Sequence, residues 1–330
     1  MVLKNAVNLQ CINKFKIMTK ESTNIKSHAS MWIAQILWGL NPAITKIVFT
    51  AGLTPLFIYD CRMIGAAILF WIASIFTKRE RVERSDMIRI FFASMLGIIL
   101  NQGMFLYGVQ LTSPVNASII STISPILTML LAALFLHEPI TKKKSGGVII
   151  GGLGAILLIT NSVHISGISG NIIGDVLCIL AQTCYSCYLV FFKGLTSKYS
   201  PLTLMKWMFT FSALSSLPFA YNEFANFNFS CISELAIYGI CFIVFGPTFI
   251  SYLLLPIGQK NLRPTIISSY NYIQPVVSTI VAISWGLDNF NMLKIASIFL
   301  IFIGVFMVSR SKSRAQLESE LAEKSKKMTN

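Results

Sequence analysis

Four ionisable side chains stand inside long apolar runs of this sequence: Lys46, Asp60, Arg62 and Asp175. An ionised group in hydrocarbon is costly, so such residues pair with one another or face a polar pathway. Lys46 and Asp60 fall at comparable depth in successive runs, which makes them a candidate ion pair. Arg62 lies two residues from Asp60, and residues two apart on a helix do not share a face. Arg62 therefore needs carbonyls, hydroxyls or a cavity of its own. Two arrangements remain open. If Lys46 pairs with Asp60, the pathway is near neutral and suits a zwitterion. If Asp60 is engaged elsewhere, both bases meet the substrate, which is then an anion.

Two polar stripes accompany these charges. Pro114, Ser118, Ser121, Pro125 and Thr128 are spaced by four, three, four and three residues. Pro264, Ser268, Asn271, Pro275 and Ser278 repeat that spacing, which places each set on one helix face. Pro125 cannot donate to the carbonyl of Ser121, nor Pro275 to that of Asn271. In lipid, freed carbonyls are tolerated only beside protein or a water-filled cavity. The stripes are therefore a cavity lining, or else kinks with hydroxyls packed between helices; their occurrence in both halves favours the cavity. Trp38, Asn41, Asn101, Gln102, Gln182, Tyr185, Ser251, Tyr252, Tyr270 and Gln274 fall at similar depth. Together they describe an aromatic and amide-lined pocket for a small, partly polar organic solute. The candidate lining set is Trp38, Asn41, Lys46, Arg62, Asn101, Ser118, Ser121, Tyr185, Ser251, Tyr252, Tyr270, Asn271 and Gln274. Gly147, Gly151 and Gly154 read instead as close helix packing.

The elements that must carry these residues are membrane helices. Of 330 residues, 54% are hydrophobic and 12% charged, with mean hydropathy +0.68; a soluble domain carries about 25% charged residues. A bilayer core needs about 20 apolar residues per helix. Runs of that kind lie at 31–50, 54–76, 89–108, 113–136, 146–161, 170–192, 203–221, 232–255, 264–284 and 291–309. The connections 51–53, 109–112, 162–169, 222–231 and 285–290 contain no Lys or Arg. The alternate ones are basic, through Lys78, Arg79, Arg81 and Arg84, then Lys142 to Lys144, then Lys198, then Lys260 and Arg263. By the positive-inside rule both termini are cytoplasmic, and the run Lys142 to Lys144 reads as a topology signal. The expected setting is the bacterial inner membrane, with the lipid bilayer and a small-molecule substrate as partners.

The net charge of +14 sits in these short connections without interleaved aromatics, which argues against nucleic acid. The seven cysteines read as reduced thiols, mostly inside apolar runs, and Cys184 with Cys187 has no second pair to make a metal site. No metal-ligand cluster, nucleophile elbow or phosphate loop appears outside the spans. The expectation is a protein that is not an enzyme, with neither cofactor nor metal.

An internal repeat organises the chain. Ala34-Gln35 is matched by Ala181-Gln182. Further on, Gly108, Pro114, Ser118, Pro125, Glu138 and Gly154 meet Gly258, Pro264, Ser268, Pro275, Asp288 and Gly304 at a constant offset of 150. The expected fold class is an all-α membrane protein of ten transmembrane helices in two five-helix repeats, at 29–161 and 170–309. Residues 1–28 form a basic tail and 310–330 a charged one. Five is odd, so the second repeat enters from the opposite face. Inverted repeats of this kind place the substrate near the midplane between the halves.

The sequence resembles the EamA-domain group of the drug/metabolite transporter superfamily over roughly residues 30–310. The marks are Trp38-Gly39 followed by Lys46, then Arg62, Asn116-Ala117-Ser118 leading to Pro125, His137-Glu138-Pro139, and the glycine-rich run after it. The second half departs from the pattern, with Asp288 in place of a glutamate and Tyr185-Ser186 in place of a tryptophan-glycine pair. The resemblance implies a ten-helix bundle with a central cavity, exporting or exchanging small metabolites, often amino acids. On that basis the expected function is a carrier of small neutral or zwitterionic metabolites working by alternating access. The competing reading is an antiporter of anionic or phosphorylated metabolites.

Overall fold

The structure, a computed structural model, describes residues 25–41, 44–45, 47–49, 51–111, 120–162, 172–226, 233–284, 292–312, 314 and 316–319. Among them there is helix and turn but no strand. Helix α1 covers 25–41, with further helical residues to 49. It begins inside the segment expected to be a loose tail, because Ser27 is buried and accepts a 2.8 Å bond from Asn261 Nδ2. Helix α2 is Pro55–Ile75. Thr54 caps it by accepting from the Phe57 N–H at 3.0 Å, and Pro55 occupies a position where no N–H is needed.

Helix α3 runs as Arg84–Ser94, a π-helical stretch Met95–Leu100 and Asn101–Leu111. Helix α4 is Ser124–Leu136, α5 is Lys142–Ser162 and α6 is Ile172–Phe191, followed by a short helix Lys193–Lys198. Helix α7 is Pro201–Asn226. Helix α8 runs as Glu234–Ile243, a second π-helical stretch Val244–Ile250 and Ser251–Asn261. Helix α9 runs as Pro264–Ser269, a 3₁₀ turn Tyr270–Tyr272 and Ile273–Ser284. Helix α10 is Met292–Ser309.

Among the described residues six helices are long and apolar enough to cross a membrane: Pro55–Ile75, Arg84–Gly108, Lys142–Thr160, Ile172–Phe191, Glu234–Asn261 and Met292–Ser309. Helix α9 falls short because the 3₁₀ turn divides it, and α4 because its described part has 13 residues. The outward faces carry large apolar side chains, among them Leu134, Ile75 and Phe306. The interior holds Gln35, Asp60, Thr248, Ser251, Lys144 and Lys294, each essentially without exposure. Apolar outside and polar inside is the distribution lipid selects. This is an all-α, multi-pass membrane protein.

The helices pack in a pattern that recurs within the chain. Asn101 Nδ2 donates to Ala181 O at 2.9 Å, and Ser251 Oγ to Ala34 O at 3.4 Å. Gln182 Nε2 donates to Ser121 Oγ at 3.4 Å, and Gln35 Nε2 to Asn271 Oδ1 at 2.9 Å. Thr128 Oγ1 donates to Ser186 Oγ at 3.0 Å, and Ser278 Oγ to Gly39 O at 2.7 Å. Gly108 abuts Cys178 as Gly258 abuts Met31. In every case the partners from α3, α4, α8 and α9 are 150 residues apart, and those from α1 and α6 are 147 apart. The contacts thus follow the repeat found in the sequence: α1 lies against α8 and α9 as α6 lies against α3 and α4. The two π-helical stretches also occupy matching places, with Met95–Leu100 answered by Val244–Ile250.

Helices α5 and α10 meet backbone to backbone. A Cβ on Gly304 would stand 2.5 Å from Gly151 Cα, and one on Gly147 would stand 2.8 Å from Gly304 O. Glycines let helices approach this closely, and van der Waals contact then replaces the missing hydrophobic drive between helices in lipid. Gly151→Leu is expected to separate the pair and to lower the thermal midpoint of detergent-purified protein by several degrees, since overpacking costs about 1–3 kcal/mol or more. Gly194→Ala, where a Cβ meets nothing within 4 Å, should leave that midpoint unchanged or raise it.

Candidate functional site

The polar centre grows from one proline. Within α8 the sequence reads Gly246-Pro247-Thr248, and Pro247 has no N–H to give the carbonyl of Ile243, four residues back. The π-helical register brings Thr248 to that carbonyl instead, and Thr248 Oγ1 also donates to Ile243 O at 2.8 Å. The same hydroxyl oxygen accepts from Arg62 Nε at 2.9 Å. Trp38 Nε1 then donates to Pro247 O at 2.8 Å, tying α1 to the distorted turn. A proline, a threonine and the π-helical backbone between them fix a buried guanidinium and an indole. Arg62 is 7% exposed. Among the described residues its one hydrogen bond goes through Nε, which leaves the forked pair Nη1 and Nη2 for another acceptor.

Tyr252, two turns further along α8 than Ile243, is the centre of the aromatic wall. Its ring meets Trp38 edge-on at 5.6 Å and Phe209 edge-on at 5.1 Å. Its hydroxyl accepts from Gln102 Nε2 at 2.6 Å. Tyr252 and Tyr59 both lie near enough to Arg62 to feel its charge, and Tyr185 lies near enough to feel Tyr252. The Tyr185 hydroxyl is buried with no hydrogen-bond partner among the described residues. Buried polar groups are nearly always bonded, so a hydroxyl of this kind calls for a functional explanation. Arg62, Tyr59, Tyr252, Tyr185, Gln102 and Trp38 thus form one cluster, contributed by α1, α2, α3, α6 and α8.

The two polar stripes lie beside it and are engaged mainly with α1 and α6. Gln35 donates to Asn271 at 2.9 Å and accepts from Gln274 Nε2 at 2.6 Å. Asn271 Nδ2 reaches Ser124 Oγ at 3.4 Å, and Gln182 reaches Ser121. The helix breaks stand where the prolines require them. A turn at Thr122–Ile123 precedes buried Pro125, and the 3₁₀ turn Tyr270–Tyr272 precedes Pro275.

Other expected lining residues are committed elsewhere. Asn101 and Ser251 bond backbone carbonyls, and Tyr270 OH shares a 2.6 Å bond with His28 Nδ1 at the first turn of α1. Asn41 is half-buried and accepts from Thr45 at 3.5 Å. Asp60 is wholly buried. Lys46, its expected partner, and Ser118 lie outside the described residues.

Sequence reading passed over Thr248, Tyr59 and Gln35. The proline before Thr248, inside an apolar run, was the available signal. The run Lys142 to Lys144 is more than a topology signal. Lys142 and Lys143 are indeed exposed, but Lys144 is fully buried and bonds Glu138 Oε2 at 2.6 Å, with Thr265 Oγ1 at 3.3 Å from the same oxygen. Glu138 stands just past the left-handed end of α4, where His137 has φ +52° and the Glu138 N–H closes on Ala132 O at 3.1 Å. Glu138 and Lys144 are six residues apart, as are Asp288 and Lys294, 150 positions on. Lys294 too is buried. At the same end of the molecule Lys198 bonds Asp86 at 2.6 Å and Glu83 at 2.8 Å, and these bonds hold its ammonium above the ordinary lysine range.

Broken helices thus surround a charged, aromatic centre inside an apolar shell. A crystal structure of another protein superposes with TM-score 0.71 over 88% of this chain and 100% of its own, at 15% identity, a likeness of fold alone. The chain belongs to the EamA-like transporter family, whose profile matches residues 26–160 and again 172–310. Its relatives include an uncharacterized transporter of Archaeoglobus fulgidus, 26% identical over 85% of this chain and 99% of its own. The uncharacterized transporter YyaM of Bacillus subtilis is 25% identical, over 74% and 81%. A WAT1-related protein of Arabidopsis thaliana is 23% identical, over 87% and 86%. The protein is therefore a transporter and not an enzyme.

The Glu138–Lys144 pair makes a sharp expectation. Removing one partner of a buried pair strands a charge and costs about 3–5 kcal/mol, whereas removing both can be nearly neutral. Lys144→Met should sharply reduce the monodisperse fraction in fluorescence-detected size exclusion, Lys143→Met should not, and adding Glu138→Leu to Lys144→Met should recover much of the loss.

Proposed function

We propose that this transporter carries small zwitterionic metabolites, amino acids among them, by alternating access between two inverted five-helix repeats that together make ten spans. The observation that carries this reading is Arg62. It is a buried guanidinium with Nε held by Thr248 and a free fork, set among Tyr59, Tyr252 and the unpartnered Tyr185 hydroxyl. A fork of that kind suits a carboxylate, which it binds in bidentate fashion. One carboxylate balances one guanidinium. A phosphate ester, with nearly two charges, would leave the described cluster negative. The faces of Trp38 and Tyr252 offer a place for an organic ammonium through cation–π attraction. Tyr185 and Gln102 supply the remaining polar contacts.

The inverted arrangement is supported by the paired contacts, and the alternation of basic connections favours cytoplasmic termini in a bacterial inner membrane. Two halves built on equivalent contacts have two packings of similar energy, which is what alternating access needs.

Hydrogen bonds to a charged group are worth about 1.5–3 kcal/mol, so Arg62→Gln should weaken apparent substrate affinity by roughly 10- to 150-fold at normal membrane abundance. Counterflow of labelled amino acids in proteoliposomes reads this directly. Wild-type rates in Arg62→Gln would sink the site. Stronger competition by sugar phosphates than by amino acids would move the substrate to the anionic class.

Topology has its own test. A cysteine replacing His164 should react with an impermeant maleimide on intact cells, and one replacing Lys143 only after disruption. The reverse pattern at either position removes the ten-span count or its orientation.

A further inference from the structure

A groove of about 490 Å³ runs along the outer face between α2 and α7, and its floor includes Ile64, Ile68, Ile75, Leu214 and Leu217. Thr210 is the one hydroxyl in that lining, and it is spent twice. It accepts from Trp71 Nε1 at 2.9 Å and donates to Lys206 O at 2.7 Å. The groove therefore offers a polar solute nothing. One end is different. Lys206 Nζ lies 4.5 Å from the Trp71 ring centroid and 5.9 Å from that of Trp207. None of the ion pairs among the described residues uses it. The connection that follows α2 adds exposed Lys78, Arg79 and Arg81.

Length decides what fits. From Ile64 to Ile75 the helix rises about 16 Å, at about 1.5 Å per residue, which is half of the roughly 30 Å hydrocarbon core. A partner helix would occupy both leaflets, whereas one acyl chain occupies one. Paired indoles mark the level of the headgroups, and a lysine there attracts anionic lipid with about 1 kcal/mol per basic residue.

We propose that the α2–α7 groove is a binding site for an anionic phospholipid of the leaflet that borders the basic connections. One acyl chain lies along the isoleucines and leucines, and the phosphate sits at the Lys206 ammonium between Trp71 and Trp207. This site is separate from the transport cluster and does not depend on the substrate assigned there.

The test uses the purified full chain in nanodiscs containing phosphatidylglycerol or phosphatidylcholine with brominated acyl chains, which quench nearby tryptophan. At equal mole fraction, brominated phosphatidylglycerol should quench at least twofold more than brominated phosphatidylcholine. Lys206→Gln should abolish that preference, and Lys78→Gln should preserve most of it. Should Lys206→Gln fail to fold, raising the salt with wild-type protein gives the same answer, since screening must shrink the preference. Equal quenching by both lipids in wild type means ordinary shell lipid and overturns the site. So does disulfide cross-linking of Leu214→Cys between two chains that shields the groove from both lipids, because its occupant is then a second copy.

Discussion

Inside a bilayer a backbone carbonyl without a donor costs several kcal/mol, and no water is at hand to relieve it. The centre of this protein follows from that constraint at Ile243. Pro247 cannot donate there, the π-helical register passes that place to Thr248, and the Thr248 hydroxyl, which also donates to Ile243 O, becomes an acceptor for Arg62. Trp38 closes on the next exposed carbonyl. The charge and the indole are thus placed by a repair to the helix, and their position is as rigid as the distortion itself. π-helical turns are often found at functional sites, and here the reason is visible in the bonds. The breaks ahead of Pro125 and Pro275 raise the same demand, and amides and hydroxyls from neighbouring helices gather around them.

The repeat gives that centre its frame. Equivalent contacts join α1 to α8 and α9, and α6 to α3 and α4, yet the paired bonds differ in strength. Asn101 reaches Ala181 at 2.9 Å while Ser251 reaches Ala34 at 3.4 Å. Gln35 reaches Asn271 at 2.9 Å while Gln182 reaches Ser121 at 3.4 Å. A repeat that has diverged at Asn101 and Ser251, or at Ser121 and Asn271, keeps the geometry and loses the equality. The halves are alike in form and differ in the side chains that make their contacts.

Much of this was legible beforehand, for physical reasons. Offsets of 147 and 150 were countable in the chain, and the contacts obey them because a duplicated helix keeps its faces. Gly147, Gly151 and Gly154 announced close packing because a strip of glycines in lipid serves little else. The stripes predicted where helices would break. They did not predict that Thr128 and Ser278 would be spent on neighbouring helices, because one hydroxyl pattern serves packing and cavity alike. Pro247 marks the place of Thr248, but the bond to Arg62 joins residues 186 apart, which spacing along the chain does not show. Lys144 was misread because position alone cannot separate a lysine that marks topology from one that is buried in a pair. The start of α1 was placed late because Ser27 and His28 look like tail residues until Asn261 and Tyr270 are beside them.

The glycine contact between α5 and α10 also bears on how the protein is made. Helix α5 leaves the ribosome long before α10, and during that interval its glycine strip has no mate. Lipid tails are a poor substitute, because a flexible chain cannot match the shape of bare helix backbone as a second glycine helix does. The strip therefore stays open until Gly304 and the rest of α10 close on it.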